Sequence, residues 1–310
     1  MPRRRIGQEM LGFGAAAPAT TLDELHDLID WSAADRALAS VHAAAEGEAA
    51  WPPLSLFKAH STAVRHDLSD VKSAEALDDR ASSRRLCGFA RHEAVPERTA
   101  FVRFRRELVR LGLDRALFGA VTRQLDAKGV AVRTGILTDA TVIASTTKGD
   151  GEAGWSGHQR RRAVHGYKAH VAAAADTALV VEVAATPGNA HDGRAGVAVV
   201  PDAPGRVYAD SARRGPRFAE AMAARGGTAH VAATSFWSLP GDAEAERRFL
   251  ARNAAIHGVR CRIERVFGTW KRSYGLRRMR WKGLARSALQ VRLTAIAYNM
   301  RRGLAMAVAG

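Results

Sequence analysis

Cysteine is nearly absent from the 310 residues: Cys87 and Cys261 are the only two. Two thiols this far apart make neither a disulfide framework nor a zinc site, and the usage suits a reducing compartment. No apolar run reaches the roughly 18 residues that crossing a bilayer requires. The N-terminal Met1-Pro-Arg-Arg-Arg has no apolar stretch behind it and does not read as a secretory signal. No internal repeat is found, and alanine richness is the one compositional bias. Acidic residues are also short: 31 Asp and Glu stand against 47 Lys and Arg, a formal net charge of +16. So one-sided a charge points to a polyanionic partner. Nucleic acid fits better than an anionic membrane, because no lipidation motif is present and the basic residues are spread over folded segments. The basic N-terminal arm reads equally as a phosphate contact or as a solvated tail.

What is present falls into two regimes. Residues 21–128 read as helical. Thr21 is placed to cap a helix through Leu22, Leu25, Leu28 and Ile29, Trp51-Pro52-Pro53 opens another, and Ser69 is placed to cap one through Val71, Ala74 and Leu77. A short helix around 83–86 stops at Gly88. Phe101, Phe104, Leu108 and Leu111 form one apolar stripe, with Arg103, Arg106 and Arg110 on the other side. Three short helices ending in a basic one resemble a helix-turn-helix; a small bundle with a solvated arginine face is the plainer alternative. A last helix covers about 114–127. From residue 130 the pattern turns to strands at 130–143, 165–172 and 178–185, a helix at 192–199, a strand at 206–209, a helix at 216–225, a strand at 228–232, and then helices to about 304. Three strands followed by alternating α and β resemble an RNase H-like core. The expected architecture is thus α/β: a helical domain over 1–128 and a mixed-sheet domain over 129–310.

Three carboxylates stand out. Asp139 interrupts the apolar strand Ile136-Leu-Thr-Asp-Ala-Thr-Val-Ile143, where an unpaired buried charge is costly. Asp210 ends the strand Val207-Tyr-Ala-Asp210, a place suited to a site at a sheet edge. Glu264 lies on a helix four residues after Arg260 and seven before Lys271, nearly on one face. It is the single acid among ten Arg and Lys residues between Val259 and Arg286. Ordinary readings compete with each: a turn aspartate, a strand-end polar residue, an i,i+4 ion pair. Together three separated carboxylates suit Mg²⁺ or Mn²⁺, two ions of which assist in-line displacement at a phosphodiester. Arg260 and Lys271 would then hold phosphates.

In chain order these motifs resemble the bacterial insertion-sequence transposases of the DDE superfamily, specifically the IS-five family. Thr138-Asp139-Ala140-Thr141 is similar to the first-aspartate motif and Tyr208-Ala209-Asp210-Ser211 to the second. Arg260-Cys-Arg-Ile-Glu264-Arg-Val-Phe-Gly-Thr-Trp-Lys271 is similar to the glutamate signature. Trp51-Pro-Pro-Leu-Ser-Leu-Phe-Lys58, Val95-Pro-Glu-Arg-Thr-Ala-Phe101, Gly166-Tyr-Lys-Ala-His-Val171 and Ala295-Ile-Ala-Tyr-Asn299 fit between and around them. The resemblance implies a Mg²⁺-dependent enzyme that cuts and rejoins DNA at an element's terminal inverted repeats, works in the bacterial cytoplasm near the nucleoid, and forms a homodimer or higher oligomer when two ends are synapsed. Two departures stand where the family often carries aromatics: His257 before the signature arginine, and Arg213 shortly after the second aspartate. They leave two rivals open: a weakened or domesticated copy that binds DNA without cutting, and a nuclease that cuts without joining.

The remaining candidates are weaker. Lys168 and His170 alternate on one strand and read as DNA-facing or simply solvated. His191-Asp192 reads as a helix cap. Residues 160–162 form a basic run in an expected loop, and Arg277, Arg278 and Arg280 belong to a basic tail that would track the DNA backbone. Trp155, Trp237 and Trp281 read as base-stacking or, more commonly, buried residues.

Overall fold

The computed structural model describes residues 3–7, 20–41, 49–127, 135–158, 161–233 and 243–309. The chain divides into two compact units. One holds Met1–Lys128, Ser273–Gly275 and Arg292–Gly310; the other holds Gly129–Arg272 and Leu276–Val291. The break at 128 falls where the hydrophobic period changes. The C-terminal residues from 292 on belong to the first unit, where the sequence reading had placed all of 129–310 in the second. The reason is their contacts. Arg292 pairs with Asp114, Gly303 lies against the Leu125 side chain, and Ala297 and Met300 line a small cavity with Leu22, Leu25 and Trp31.

The first unit is helical: α1 (Thr21–Leu28), α2 (Ser32–Ala37), α3 (Pro53–Arg65), α4 (Asp70–Asp79), α5 (Ala81–Cys87), α6 (Arg98–Arg110) and α7 (Asp114–Ala127). The cap of α1 is Thr20, one residue before the expected Thr21. Its backbone N–H and hydroxyl both donate to Asp23 Oδ2, at 2.7 and 2.8 Å. Ser69 caps α4 by accepting from the Lys72 N–H at 3.2 Å. Gly88 ends α5 with φ +82°. On α6 the apolar stripe is buried at Phe101, Phe104 and Leu108, while Arg103 and Arg106 are exposed and Arg110 pairs with Glu107 at 2.8 Å. Arg105 departs from the pattern. It turns inward and grips Asp70 of α4 with two 3.0 Å hydrogen bonds. The basic N-terminal arm is pinned rather than trailing: Arg4 Nε donates to Ala49 O at 2.8 Å and its guanidinium lies 4.3 Å over the Trp51 ring.

The second unit is built on strands β1 (Gly135–Ala144), β2 (Gly154–His158), β3 (Arg161–Ala174), β4 (Val180–Pro187), β5 (Arg206–Ala209) and β6 (Thr228–Val231). Helices α8 (Asp192–Ala198) and α9 (Pro216–Ala223) fall between the later strands, and α10 (Ala243–Ser273) and α11 (Leu284–Ala309) follow. β3 is antiparallel to β1 and to β4, and β1, β5 and β6 run parallel. The order β4-β3-β1-β5-β6 is the mixed sheet expected of an RNase H-like core. β2, which the sequence reading did not anticipate, pairs with the start of β3. Arg161 and Arg162 therefore belong to a strand rather than a loop, while Arg160 lies outside the described residues, as does Trp237.

One core packs Ile136, Ala172, Val207 and Ala209 of the sheet against Val199, Val200, Phe218 and Met222. Burying such side chains is the main favourable contribution to the fold. Gly166 marks the closest approach of β3 to β1. A Cβ there would overlap the Ile143 carbonyl oxygen and lie 2.9 Å from Ala144 Cα and Ser145 N, so no larger residue fits.

Candidate functional site

The parallel register of β1 and β5 pairs Ile136 with Val207 and Leu137 with Tyr208. Carried two residues further, it sets Asp139 opposite Asp210, with both side chains leaving the same face because strand side chains alternate. Two carboxylates are thus brought near each other, Asp139 from the middle of β1 and Asp210 from just past the carboxyl end of the parallel strand β5. Asp139 is largely buried, its side chain 19% exposed. Its Oδ1 accepts from the Ala140 N–H at 2.7 Å, and Oδ2 receives Arg260 Nη2 at 3.2 Å. Burial pushes the Asp139 carboxyl above the ordinary carboxylate range. The nearby Asp210 pushes the same way, against the Ala140 N–H, Arg260 and Arg213. Among the described residues the Asp210 carboxylate has no hydrogen bond or ion pair.

Glu264 is placed by α10, which buries Ile256, Ile263, Val266 and Trp270 and turns Glu264 to solvent. Its carboxylate also has no described partner. Arg260, one turn earlier, is the α10 group that reaches Asp139. Asp210 lies near Asp139, whereas Glu264 makes no described interaction with either aspartate. Among the described residues, no three His, Cys, Asp or Glu side chains stand close enough together to hold a metal ion. The aspartate pair by itself fits a hard dication, which is commonly held by one or two carboxylates together with substrate phosphates.

Arg213, 2% exposed, lies in a 3₁₀ turn, Ser211–Arg213, directly after Asp210. Its Nη1 donates to Thr138 Oγ1. The sequence had marked Arg213 only as a departure from a family pattern; that it would be a buried cation beside both aspartates was not legible there.

Lys168 and His170 do not face solvent. β3 is flanked by β1 and β4 and covered by α8, so both side chains point into the protein. Lys168 Nζ lies 2.9 Å from Asp192 Oδ1 and donates to Ala190 O at 2.8 Å. His170 is fully buried against Thr186 Oγ1 at 2.9 Å, and burial lowers its pKa to about 4. Asp192 opens α8, and it is the His191 ring that caps the helix by accepting from the Gly193 N–H at 3.1 Å.

The basic tail is partly ordered against the sheet. The Ala144 N–H donates to Arg277 O at 3.1 Å and the Met279 N–H to Ala144 O at 2.7 Å, so this segment lies beside the end of β1 with Arg277 and Arg278 exposed. Arg280 and Lys271 are half-buried. Trp155 is exposed on β2, with His165 tilted against it at 5.2 Å, and Trp281 is half-buried. A further acid went unremarked in the sequence. Asp150, in the turn before β2, is 1% exposed and accepts from Tyr167 Oη at 2.8 Å, Ser145 Oγ at 3.1 Å and the Gly283 N–H at 3.2 Å. These bonds outweigh its burial and hold the carboxyl below its ordinary value. Asp150 is a structural carboxylate with its acceptors filled, unlike Asp210.

A family model described as "Transposase DDE domain" matches residues 131–300, more than half the chain and all three acids. The chain belongs to this transposase family. A second model, "Transposase domain (DUF772)", matches residues 15–107. No solved structure matches the chain. The transposase is therefore an enzyme that breaks and joins DNA strands, of a family that generally uses divalent metal ions. No helix among its described residues is long and apolar enough to cross a membrane.

Proposed function

We propose that this is an insertion-sequence transposase of the IS-five type, active on terminal inverted repeats in the bacterial cytoplasm, with Asp139, Asp210 and Glu264 as its metal-binding carboxylates and Mg²⁺ or Mn²⁺ as the ion. The observation that carries the reading is the β1–β5 register, which carried past its last pair, Leu137 with Tyr208, brings Asp210 close enough to Asp139 to push its carboxyl upward. The free carboxylate of Glu264, one helical turn beyond the arginine that meets Asp139, supports it as the third ligand. Two such ions, when bound, would activate the attacking oxygen and stabilise the leaving one. Asp139 and Asp210 hold the charge that recruits them. Arg260 neutralises Asp139 in the free protein and is placed to take a DNA phosphate instead. Lys271, Arg277, Arg278 and Arg280 contribute further positive charge along the strand path, and the attacking group is water in cleavage and a DNA 3′-hydroxyl in joining.

The helical residues 1–128 recognise the element ends, with Arg103 and Arg106 exposed for phosphate contact, while 129–310 carry the chemistry and a dimer or larger assembly holds two ends together. Arg110, held by Glu107, and Lys168, held by Asp192, are weaker candidates for DNA contact. The test separates binding from chemistry. Asp139→Asn and Glu264→Gln are expected to lose Mg²⁺-dependent cleavage of an inverted-repeat duplex while gel-shift affinity stays within about threefold of wild type. Equal loss of binding and cleavage would reject the metal-site assignment. Arg213 supports a second reading, a DNA-binding copy with weakened chemistry, because it places a fixed positive charge under the acidic pair. Binding without any nicking by the unmodified chain would favour that reading.

A further inference from the structure

Arg213 is a permanent charge in a place that hydrogen bonding does not explain. A guanidinium keeps its proton at all ordinary pH and offers five N–H donors with no acceptor. Here one edge is used, Nη1 to Thr138 Oγ1. The other edge lies flat on Gly196 of α8, where a Cβ would stand 2.5, 2.6 and 2.8 Å from Nε, Cζ and Nη2. Nε and Nη2 are buried without a hydrogen-bond partner. Arg213 also forms no ion pair within 4 Å among the described residues. Burying such a cation is costly. The acids whose field favours it are Asp139, Asp210 and Asp192. Thr138 immediately precedes the first aspartate and Arg213 follows the second by three residues, so the guanidinium is tied to both segments that carry the acidic pair.

We infer that Arg213 is the fixed internal counter-ion of the Asp139–Asp210 pair and sets how tightly that pair takes a divalent cation. The inference rests on the metal-site reading above. Two carboxylates close together repel each other, and a caged cation beside them offsets that repulsion with no ion bound. The same charge repels an incoming dication. Arg260 also neutralises Asp139, but it lies one turn from the exposed Glu264 and has an alternative partner in a DNA phosphate. Arg213, held between Thr138 and Gly196, has none. The resident cation therefore weakens metal binding in the free transposase as a standing property of the fold. It acts as a positioning residue, through the aspartates and not on DNA.

The experiment is Mn²⁺ titration of the full chain without DNA, followed by the signal of free Mn²⁺ in electron paramagnetic resonance. It compares wild type with Arg213→Met, Arg213→Lys, Asp139→Asn and Asp210→Asn. Arg213→Met is expected to bind Mn²⁺ about tenfold tighter or more, since a like charge close by in a low-dielectric site is removed. Arg213→Lys is expected to fall between wild type and Arg213→Met, since a buried ammonium holds its charge less firmly than a guanidinium. Unchanged or weaker Mn²⁺ affinity in a folded Arg213→Met protein overturns the inference. Metal-free thermal melts give a second readout that does not depend on Arg213→Met folding. Asp210→Asn is expected to lower Tm because it strips a counter-charge from Arg213; a raised Tm overturns the counter-ion role. Equal Mn²⁺ binding by wild type, Asp139→Asn and Asp210→Asn is a different failure. It rejects the metal site, while the melts still decide whether Arg213 and the aspartates are coupled.

Discussion

Gly166→Ala tests whether β3 meets β1 as closely as described, because the added methyl has nowhere to go. It would overlap the Ile143 carbonyl oxygen and press on Ala144 Cα and Ser145 N, all backbone atoms of the same sheet. Relief requires β3 to move away from β1. Two hydrogen bonds at this point would be strained or lost, Ser145 N–H to His165 O and Gly188 N–H to Gly166 O, both 2.9 Å. Overpacking costs about 1–3 kcal/mol and each lost hydrogen bond about 0.5–1.5 kcal/mol, so a loss of about 2–6 kcal/mol is expected. For a unit of this size that lowers Tm by roughly 5–15 °C. The matched control has the opposite sign. Gly258, inside α10, has open space where a Cβ would stand, so Gly258→Ala is expected to stabilise by about 0.5–1 kcal/mol through helix propensity. Calorimetry or circular dichroism melts of the two variants beside wild type are sufficient. A Gly166→Ala protein melting within about 1 °C of wild type would refute the close packing of β3 on β1.

Other expectations follow from single residues. His170 has a pKa lowered by burial to about 4, against 6.5 for the ordinary group. Its neutral form is therefore the folded form, and its contribution is complete above pH 6.5 and lost as pH falls toward 4, by at most about 3 kcal/mol. Arg213 and Lys168 reinforce that direction and Asp192 opposes it. Melts between pH 4 and 7 are expected to show a shallower acid loss in His170→Gln than in wild type, and parallel curves would contradict the assignment. Cys87 is 1% exposed with its thiol pushed up to about 12, whereas Cys261 is half-buried on α10. One thiol per native chain, Cys261, is expected to react with a disulfide reagent at neutral pH, and the second only on unfolding. Peptide mapping that finds Cys87 labelled first would contradict the burial.

The local signals in this sequence were legible because they act over a few residues. The serine before α4, the tryptophan and prolines before α3, the glycine after α5 and the Phe101, Phe104, Leu108 stripe each specify an element through capping or period, and those elements formed. Asp139 was legible as an acid out of place in an apolar strand, and its partner Asp210 as an acid at a strand end. What escaped depends on groups distant in the chain. Arg105 continues the exposed arginine series on α6 by composition, yet Asp70, 35 residues away, draws it inside. Lys168 and His170 look like a solvated face until α8 is known to cover them. Arg213 followed the same logic: a polar residue in a turn reads as exposed, and only the small Gly196 opposite it makes room for burial. Asp150 is followed by a glycine, a local pattern that gives no hint of the tyrosine and serine that bind it.

Whether the acids share one ion is most directly measured by replacing Mg²⁺ with Fe²⁺, adding ascorbate and peroxide, and mapping where the locally generated radicals cut the transposase backbone. The expected result is cleavage concentrated beside residues 139 and 210, joined by cuts near 264 when inverted-repeat DNA is present, all suppressed by excess Mg²⁺ and by Asp139→Asn. Cuts that avoid both aspartates, or that persist unchanged in Asp139→Asn, would contradict a metal centre at Asp139 of β1 and Asp210 after β5.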